Sequence, residues 1–282
     1  MSFCDLDGIK LFYEVRGNVN SKNTILFLNG VMASTKSWYG LSKIFEGLGF
    51  KVVLHDFKGQ LKSDKPEGEY TFHDHARETM RLLEHLNIEK AHLIGTSYGG
   101  EVGMKFAALY PESTLSLSII DSVSETDSIM VYLIDNWISA AESGDGEKFF
   151  NVLVPSLYST DFIEKNREFL KERAKATKNI SPEYFTGQVS LYQTFKNDVY
   201  MTDILKSIKS PTLVICGEED VLKRPSFSKL LHENIQNSEY VLLPGCGHVA
   251  IFKKPNELNS LLLGFILKTM AKETTNLISI MN

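Results

Sequence analysis

Along this chain, short apolar runs alternate with segments whose apolar residues recur every three or four positions. Thr24–Leu28, Lys51–Leu54, Ala91–Ile94, Leu115–Ile120, Thr212–Cys216 and Tyr240–Leu243 are largely apolar and of strand length. Runs of this kind suit strands covered on both faces, as in a parallel sheet, better than strands with one wet face. Gly8–Arg16 is rich in β-forming residues and ends at Gly17-Asn18, a turn signal. In Thr71–Leu86, by contrast, Ala76, Met80, Leu82, Leu83 and Leu86 fall on roughly one helical face. Strands alternating with amphipathic helices predict βαβ units, and so an α/β fold with a doubly wound, mostly parallel central sheet.

The rhythm breaks between Ser124 and Asp203, where no buried-strand run occurs. Helix-like segments cover roughly 128–142, 146–153, 162–177 and 182–196, with breaks at Ser143-Gly144, Pro155 and Ser181-Pro182. A stretch of this length between two buried strands is no tight βα loop. It predicts a helical cap, residues 124–203, inserted into a core formed by 1–123 and 204–282. The tail, Lys268–Asn282, is polar and then apolar (Leu277–Met281), and is expected either to fray or to dock on a partner.

Composition narrows the function classes. The chain has 282 residues, 43% of them hydrophobic, enough for a large core. Thirty Lys and Arg against 35 Asp and Glu give a net charge of −5 without a long run of either sign. The basic stripe of a nucleic-acid binder is missing. Cys4, Cys216 and Cys246 are too few and too scattered for a disulfide framework, and none forms a C-x-x-C. The first ten residues lack a signal-peptide pattern, and Leu261–Leu267 is far too short to span a bilayer. These features predict a cytoplasmic enzyme acting on a small molecule, with neither cofactor nor metal.

The sharpest chemical signal is Gly95-Thr-Ser97-Tyr-Gly99. It follows the strand-like Ala91–Ile94 and precedes the helix-like Glu101–Leu109, the strand–turn–helix context that G-x-S-x-G requires. A serine on such a tight turn is strained, and Gly95, Gly99 and Gly100 supply the room it needs. The turn lifts the Ser97 hydroxyl above the sheet as a nucleophile, with the N–H groups of the new helix beside it.

Among seven histidines, His55 and His92 lie in apolar runs and read as hydrogen-bonded core residues. His73 and His75 point to different faces of one helix, and His85 and His232 read as surface residues. His248 follows Tyr240–Leu243 and the loop Pro244-Gly-Cys-Gly247, at the carboxyl edge of the sheet where active groups gather. It is the predicted general base. On this type of turn the chain order is serine, acid, histidine, which points to Asp220 after Thr212–Cys216 as the acid that orients His248. Asp121, Glu218 and Glu219 are the other contenders. The oxyanion donors are expected to be the backbone N–H groups of Tyr98 and of Val31, in the loop Asn29-Gly-Val-Met32. Cys246, beside His248, reads as a small filler rather than a second nucleophile.

From Leu26-Phe-Leu-Asn-Gly30, through Gly95-Thr-Ser-Tyr-Gly-Gly100, to Pro244-Gly-Cys-Gly-His248, the chain resembles the α/β-hydrolase family over about residues 8–267. It is most similar to lid-bearing members that include enol-lactonase-like and carboxylesterase-like enzymes. Two departures stand out. Asn29 occupies a place where many relatives have histidine. In Asp56-Phe-Lys-Gly-Gln-Leu-Lys-Ser63, Lys58 and Leu61 replace the Arg and second Gly of D-x-R-G-x-G-x-S. Lysine has no planar guanidinium fork, and leucine resists a positive φ.

The resemblance implies hydrolysis of an ester, lactone or thioester through an acyl-enzyme. Alternatives are C–C bond hydrolysis on the same triad, and a receptor-like ligand binder with little turnover. Aromatic residues of the expected cap (Tyr132, Trp137, Phe149, Phe150, Tyr158, Phe162, Tyr184, Phe185, Tyr192 and Phe195) either line an acyl pocket or pack the cap onto the body.

Overall fold

The computed structural model describes residues 2–281, and side chains as far as Ala271. Eight strands form one sheet among these residues: β1 (Ser2–Leu6), β2 (Ile9–Gly17), β3 (Thr24–Leu28), β4 (Lys51–His55), β5 (Ala91–Thr96), β6 (Thr114–Ile120), β7 (Thr212–Gly217) and β8 (Ser238–Leu243). Their order is β1-β2-β4-β3-β5-β6-β7-β8. The β1–β2 and β2–β4 pairs are antiparallel and the other pairs parallel. The chain therefore winds one way from β3 to β4 and the other way from β5 onward, which is the doubly wound α/β arrangement.

Strand alternation builds two cores. Leu26 and Leu28 of β3 join the layer containing helices Phe72–His85, Tyr98–Leu109 and Pro225–Asn234. Ile25 and Phe27 face Trp38, Phe45, Leu258 and Leu262, on the side of helices Tyr39–Gly47 and Pro255–Met281. All five residues of β3 are buried, which is why its sequence is a continuous apolar run. β1 escaped that signal because only Cys4 and Leu6 of its five residues are buried. It is joined to β2 by a turn with Asp7 and Gly8 at positive φ.

Between β6 and β7 lie helices Ser128–Glu142, Gly146–Leu157, Thr160–Lys165, Arg167–Ala176 and Pro182–Asp198. Two boundaries differ from the sequence reading. Pro155 does not end its helix, which runs on to Leu157. The stretch expected as one helix over 162–177 is two, divided at Asn166, whose φ of −123° leaves the helical region. The tail backbone continues the last helix to Met281. Docking of its side chains beyond Ala271 lies outside the described residues.

Candidate active site

β5 delivers Ser97 at a backbone φ of +51°, directly before the first turn of helix Tyr98–Leu109. A non-glycine residue at positive φ costs of order 1–3 kcal/mol and persists only when its surroundings hold it. Here the Ser97 N–H donates to Ile120 O at 2.8 Å, while Ser97 O accepts from Gly100 N and from the Ser122 hydroxyl, each at 2.8 Å. The flanking glycines are required by closeness. A Cβ on Gly95 would lie 2.3 Å from Gly99 O, and one on Gly99 would lie 2.1 Å from Leu28 O.

His248 reaches this serine from the loop after β8. Its Nε2 lies 2.9 Å from Ser97 Oγ, and its Nδ1 lies 2.8 Å from Asp220 Oδ2. An ionised carboxylate only accepts, so Nδ1 carries the proton and Nε2 is the acceptor facing Ser97. Asp220 is itself fixed. Its Oδ1 accepts from the N–H groups of Leu222 at 2.9 Å and Lys223 at 2.8 Å.

The other acids fall elsewhere. Asp121 accepts from Gly217 N at 2.9 Å and Ala250 N at 3.3 Å, so it ties the loop bearing Asp220 to the residues after His248. Burial and the neighbouring Asp220 charge push its carboxyl well above the usual range. Glu218 and Glu219 are exposed. Asp121, Cys216 and Asp220 bring potential ligand atoms within 4.8 Å of one another. The carboxylates are already engaged as described, and the Cys216 thiol, raised by burial, donates to the Gly217 carbonyl at 3.3 Å. Those contacts use the atoms a metal would need. Cys246 is fully buried, and burial pushes its thiol up to about 12, as befits a filler.

Val31 and Tyr98 both line space beside Ser97. Tyr98 opens its helix, so its N–H has no intrahelical acceptor. The loop carrying Val31 is held from behind by a buried network. The Asn29 amide donates to Asp56 Oδ1 at 3.1 Å and Gln60 Oε1 at 3.2 Å, and accepts from Trp38 Nε1 at 2.8 Å. The Gln60 amide donates to Gly30 O at 2.8 Å and Val31 O at 3.2 Å. Asn29 thus anchors the loop through side-chain contacts of its own, in the place where many relatives have histidine.

The remaining histidines divide. His92 is the expected hydrogen-bonded core residue, with Nδ1 2.8 Å from Ser116 Oγ. His55 is buried, yet neither of its ring nitrogens meets a partner among the described residues, so it is a packed ring rather than a bonded one. His232 is half-buried and bonded to Ser238, not a free surface residue.

Two spaces flank Ser97. A cavity of about 310 Å³ is lined by Ser97, His248, Phe150, Tyr158, Arg173 and others. A chamber of about 20 Å³ lies beside Ser97 and Tyr98, among Trp137, Tyr192, Phe195 and Lys223. Of the aromatic residues of the inserted helices, these five reach the site. Tyr132 points to solvent, and Phe149 packs on Tyr184 and Phe185. Sequence reasoning missed the charge at the chamber. Lys223 Nζ lies 2.8 Å from both oxygens of Glu101, with side-chain exposures of 4% and 0%. Burial raises the Glu101 carboxyl, while Lys223 and the Val123 N–H pull the other way. The available signal was a glutamate directly after Gly99-Gly100, at a helix position that has to be buried.

Comparisons with known proteins bear on the fold and the family. Proline iminopeptidase of Lactobacillus helveticus (strain DPC 4571) is 26% identical, over 90% of this chain and 93% of its own length. A putative carbamate hydrolase, RutD of Pantoea ananatis, is also 26% identical, over 91% and 93%. Among solved structures, MGS-M2, an α/β hydrolase enzyme from a Medee basin deep-sea metagenome library, superimposes with a TM-score of 0.88 at 31% identity, covering 94% of this chain and 96% of that one. The enol-lactonase from Burkholderia xenovorans LB400 shares the fold at a TM-score of 0.81 and 18% identity, over 94% and 100%. The family model of the α/β hydrolase fold matches residues 23–255, and the chain belongs to that family of hydrolases.

Proposed function

We propose that the protein is a serine hydrolase that cleaves a carboxylic ester, lactone or thioester through an acyl-enzyme. The supporting observation is the unbroken hydrogen-bonded chain Ser97–His248–Asp220, with contacts of 2.9 and 2.8 Å. In this reading Ser97 Oγ attacks the carbonyl carbon as its proton passes to His248 Nε2, and Asp220 stabilises the imidazolium. The N–H groups of Val31 and Tyr98 take the oxyanion, where one donor is worth roughly 3 kcal/mol. Collapse breaks the bond to the leaving oxygen or sulfur, which receives the proton from His248. Water, deprotonated by the same histidine, then releases the acid and restores Ser97. Residues 124–203 act as a cap over this chemistry and supply Trp137, Phe150 and Tyr158 to its walls. The cysteines, buried and unpaired, fit a cytoplasmic enzyme.

Amide hydrolysis is the second reading, because relatives carry the name proline iminopeptidase. The charges at the site favour esters. An aminopeptidase must accommodate a substrate ammonium, yet the larger space is lined by Arg173, and among the described residues neither space at Ser97 is lined by a carboxylate.

Ser97→Ala, assayed beside the wild type on short- and long-chain nitrophenyl esters, acyl thioesters and a prolyl amide, tests the proposal. Ester or thioester turnover that falls about a thousandfold or more in kcat in the variant is expected. Equal, slow rates for both proteins on every ester and thioester would overturn it, and prolyl amide cleavage alone would favour the second reading.

A further inference from the structure

The two spaces at Ser97 are not equivalent. His248 lines the larger cavity and not the chamber, and in the mechanism proposed above the histidine hands its proton to the leaving group. The leaving group therefore occupies the larger cavity. The acyl substituent, on the far side of the carbonyl, enters the chamber of about 20 Å³, room on the scale of a water molecule or a small group.

The chamber walls are apolar in bulk, but the residues that form them carry buried, unmatched hydrogen-bond donors just behind that surface. Trp137 is 3% exposed and Tyr192 is 1% exposed, and neither Trp137 Nε1 nor the Tyr192 hydroxyl meets a partner among the described residues. Indole N–H only donates, and an ammonium has three donors and no acceptor. Two of the Lys223 donors go to Glu101, and Nζ sits 4.6 Å from the centre of the Phe195 ring. Burying such a pair generally gains no stability over an apolar replacement of similar volume, and leaving buried donors unmatched costs more. An oxygen atom on the substrate satisfies this arrangement. Because Glu101 already neutralises Lys223, the chamber suits a neutral oxygen better than a second carboxylate.

We propose that Lys223, with Trp137 and Tyr192, is specificity-determining, and that the chamber selects short acyl groups bearing a hydroxyl or carbonyl oxygen next to the scissile carbonyl. This rests on the acyl-enzyme reading. The test compares two nearly isosteric esters, phenyl hydroxyacetate and phenyl propanoate, each kcat/KM divided by the ester's own rate with hydroxide. A preference for hydroxyacetate of at least about tenfold is expected in the wild type, since a site built to bond an oxygen rejects an analogue lacking it. In the charge-neutral Lys223→Met/Glu101→Gln variant the ratio should fall several-fold towards one, Trp137 and Tyr192 keeping the remainder, while propanoate is still cleaved. Tyr192→Phe, which removes only an unmatched hydroxyl, should lower the ratio in the same direction and covers the case in which the double variant fails to fold. A wild-type ratio near one, or a ratio unmoved in the folded variants, would overturn the proposal and leave acyl transfer standing. Failure of the wild type to cleave any ester would instead remove the reading on which it rests, and the proposal with it.

Discussion

Among the described residues the protein buries two Lys–Glu pairs at nearly the same distance. Lys58 Nζ lies 2.7 Å from Glu78 Oε1, with both side chains 8% exposed. Lys223 meets Glu101 at 2.8 Å, with exposures of 4% and 0%. Each ammonium also sits by an aromatic ring, Tyr70 at 4.9 Å for the first and Phe195 at 4.6 Å for the second. Their surroundings differ. Lys58 and Glu78 line neither space at Ser97 and lie beside packed rings, with Phe57 5.2 Å and Tyr70 5.9 Å from His75. Lys223 borders the chamber beside the nucleophile, and its backbone N–H holds Asp220. An ion pair alone therefore says little about role. What distinguishes the two is whether free space beside the nucleophile adjoins the charge.

The largest effects come from cutting one partner. Lys58→Met strands the Glu78 carboxylate in the interior, and Lys223→Met strands Glu101. Each should lose about 3–5 kcal/mol of stability, the usual result of leaving a buried charge uncompensated. Urea titration measures it. If the comparison holds, the Lys58 variant keeps the wild-type ratio between the two phenyl esters and the Lys223 variant does not. Equal loss of selectivity in both would mean that the pairs act alike.

Acid should separate the two regions next. Burial, with a smaller contribution from His75, pushes His55 down to about 4, and burial also lowers His75. Both belong to the Lys58 side, where Glu78 Oε2 lies 3.5 Å from His75 Nδ1. The fold keeps His55 neutral, whereas the unfolded chain takes up a proton below about 6.5. Its contribution is therefore fully present above pH 6.5 and is lost as the pH falls towards 4. Between pH 7.5 and 5 this one residue should remove about 2 kcal/mol. His55→Leu should flatten that part of the pH dependence in urea titrations, leaving the shares due to His75 and to His92, which burial also lowers, the latter to about 4. A slope unchanged by the substitution would place the acid sensitivity elsewhere.

How much of this the sequence carried depends on the range of the signal. The parallel strands were legible because burial on both faces writes a continuous apolar run. The elbow was legible because Ser97 at positive φ and the crowding at Gly95 and Gly99 force a local pattern. His248 and Asp220 could be picked out from their position at strand ends, and the structure brings His248 to Ser97 and Asp220 to His248. The Lys223–Glu101 pair was not, since its members are 122 positions apart and each alone reads as an ordinary charged residue. The division at Asn166 was hidden for a related reason. Periodicity runs through it, and only the backbone turn there separates the two helices.

The loop that carries Lys58 also holds the other departure from the family pattern, and it yields the smallest prediction. In this loop the positive φ, +85°, belongs to Gly59, where a Cβ would come within 2.9 Å of the Tyr70 ring. Leu61 is absent from the positive-φ residues and is 43% exposed. The turn therefore does not need the second glycine that many relatives carry. Restoring it, as Leu61→Gly, relieves no strain and only adds freedom to the unfolded chain, at a cost of about 0.4–1 kcal/mol. Urea midpoints with an unchanged slope measure it. Stabilisation by Leu61→Gly would show that the loop is strained at Leu61.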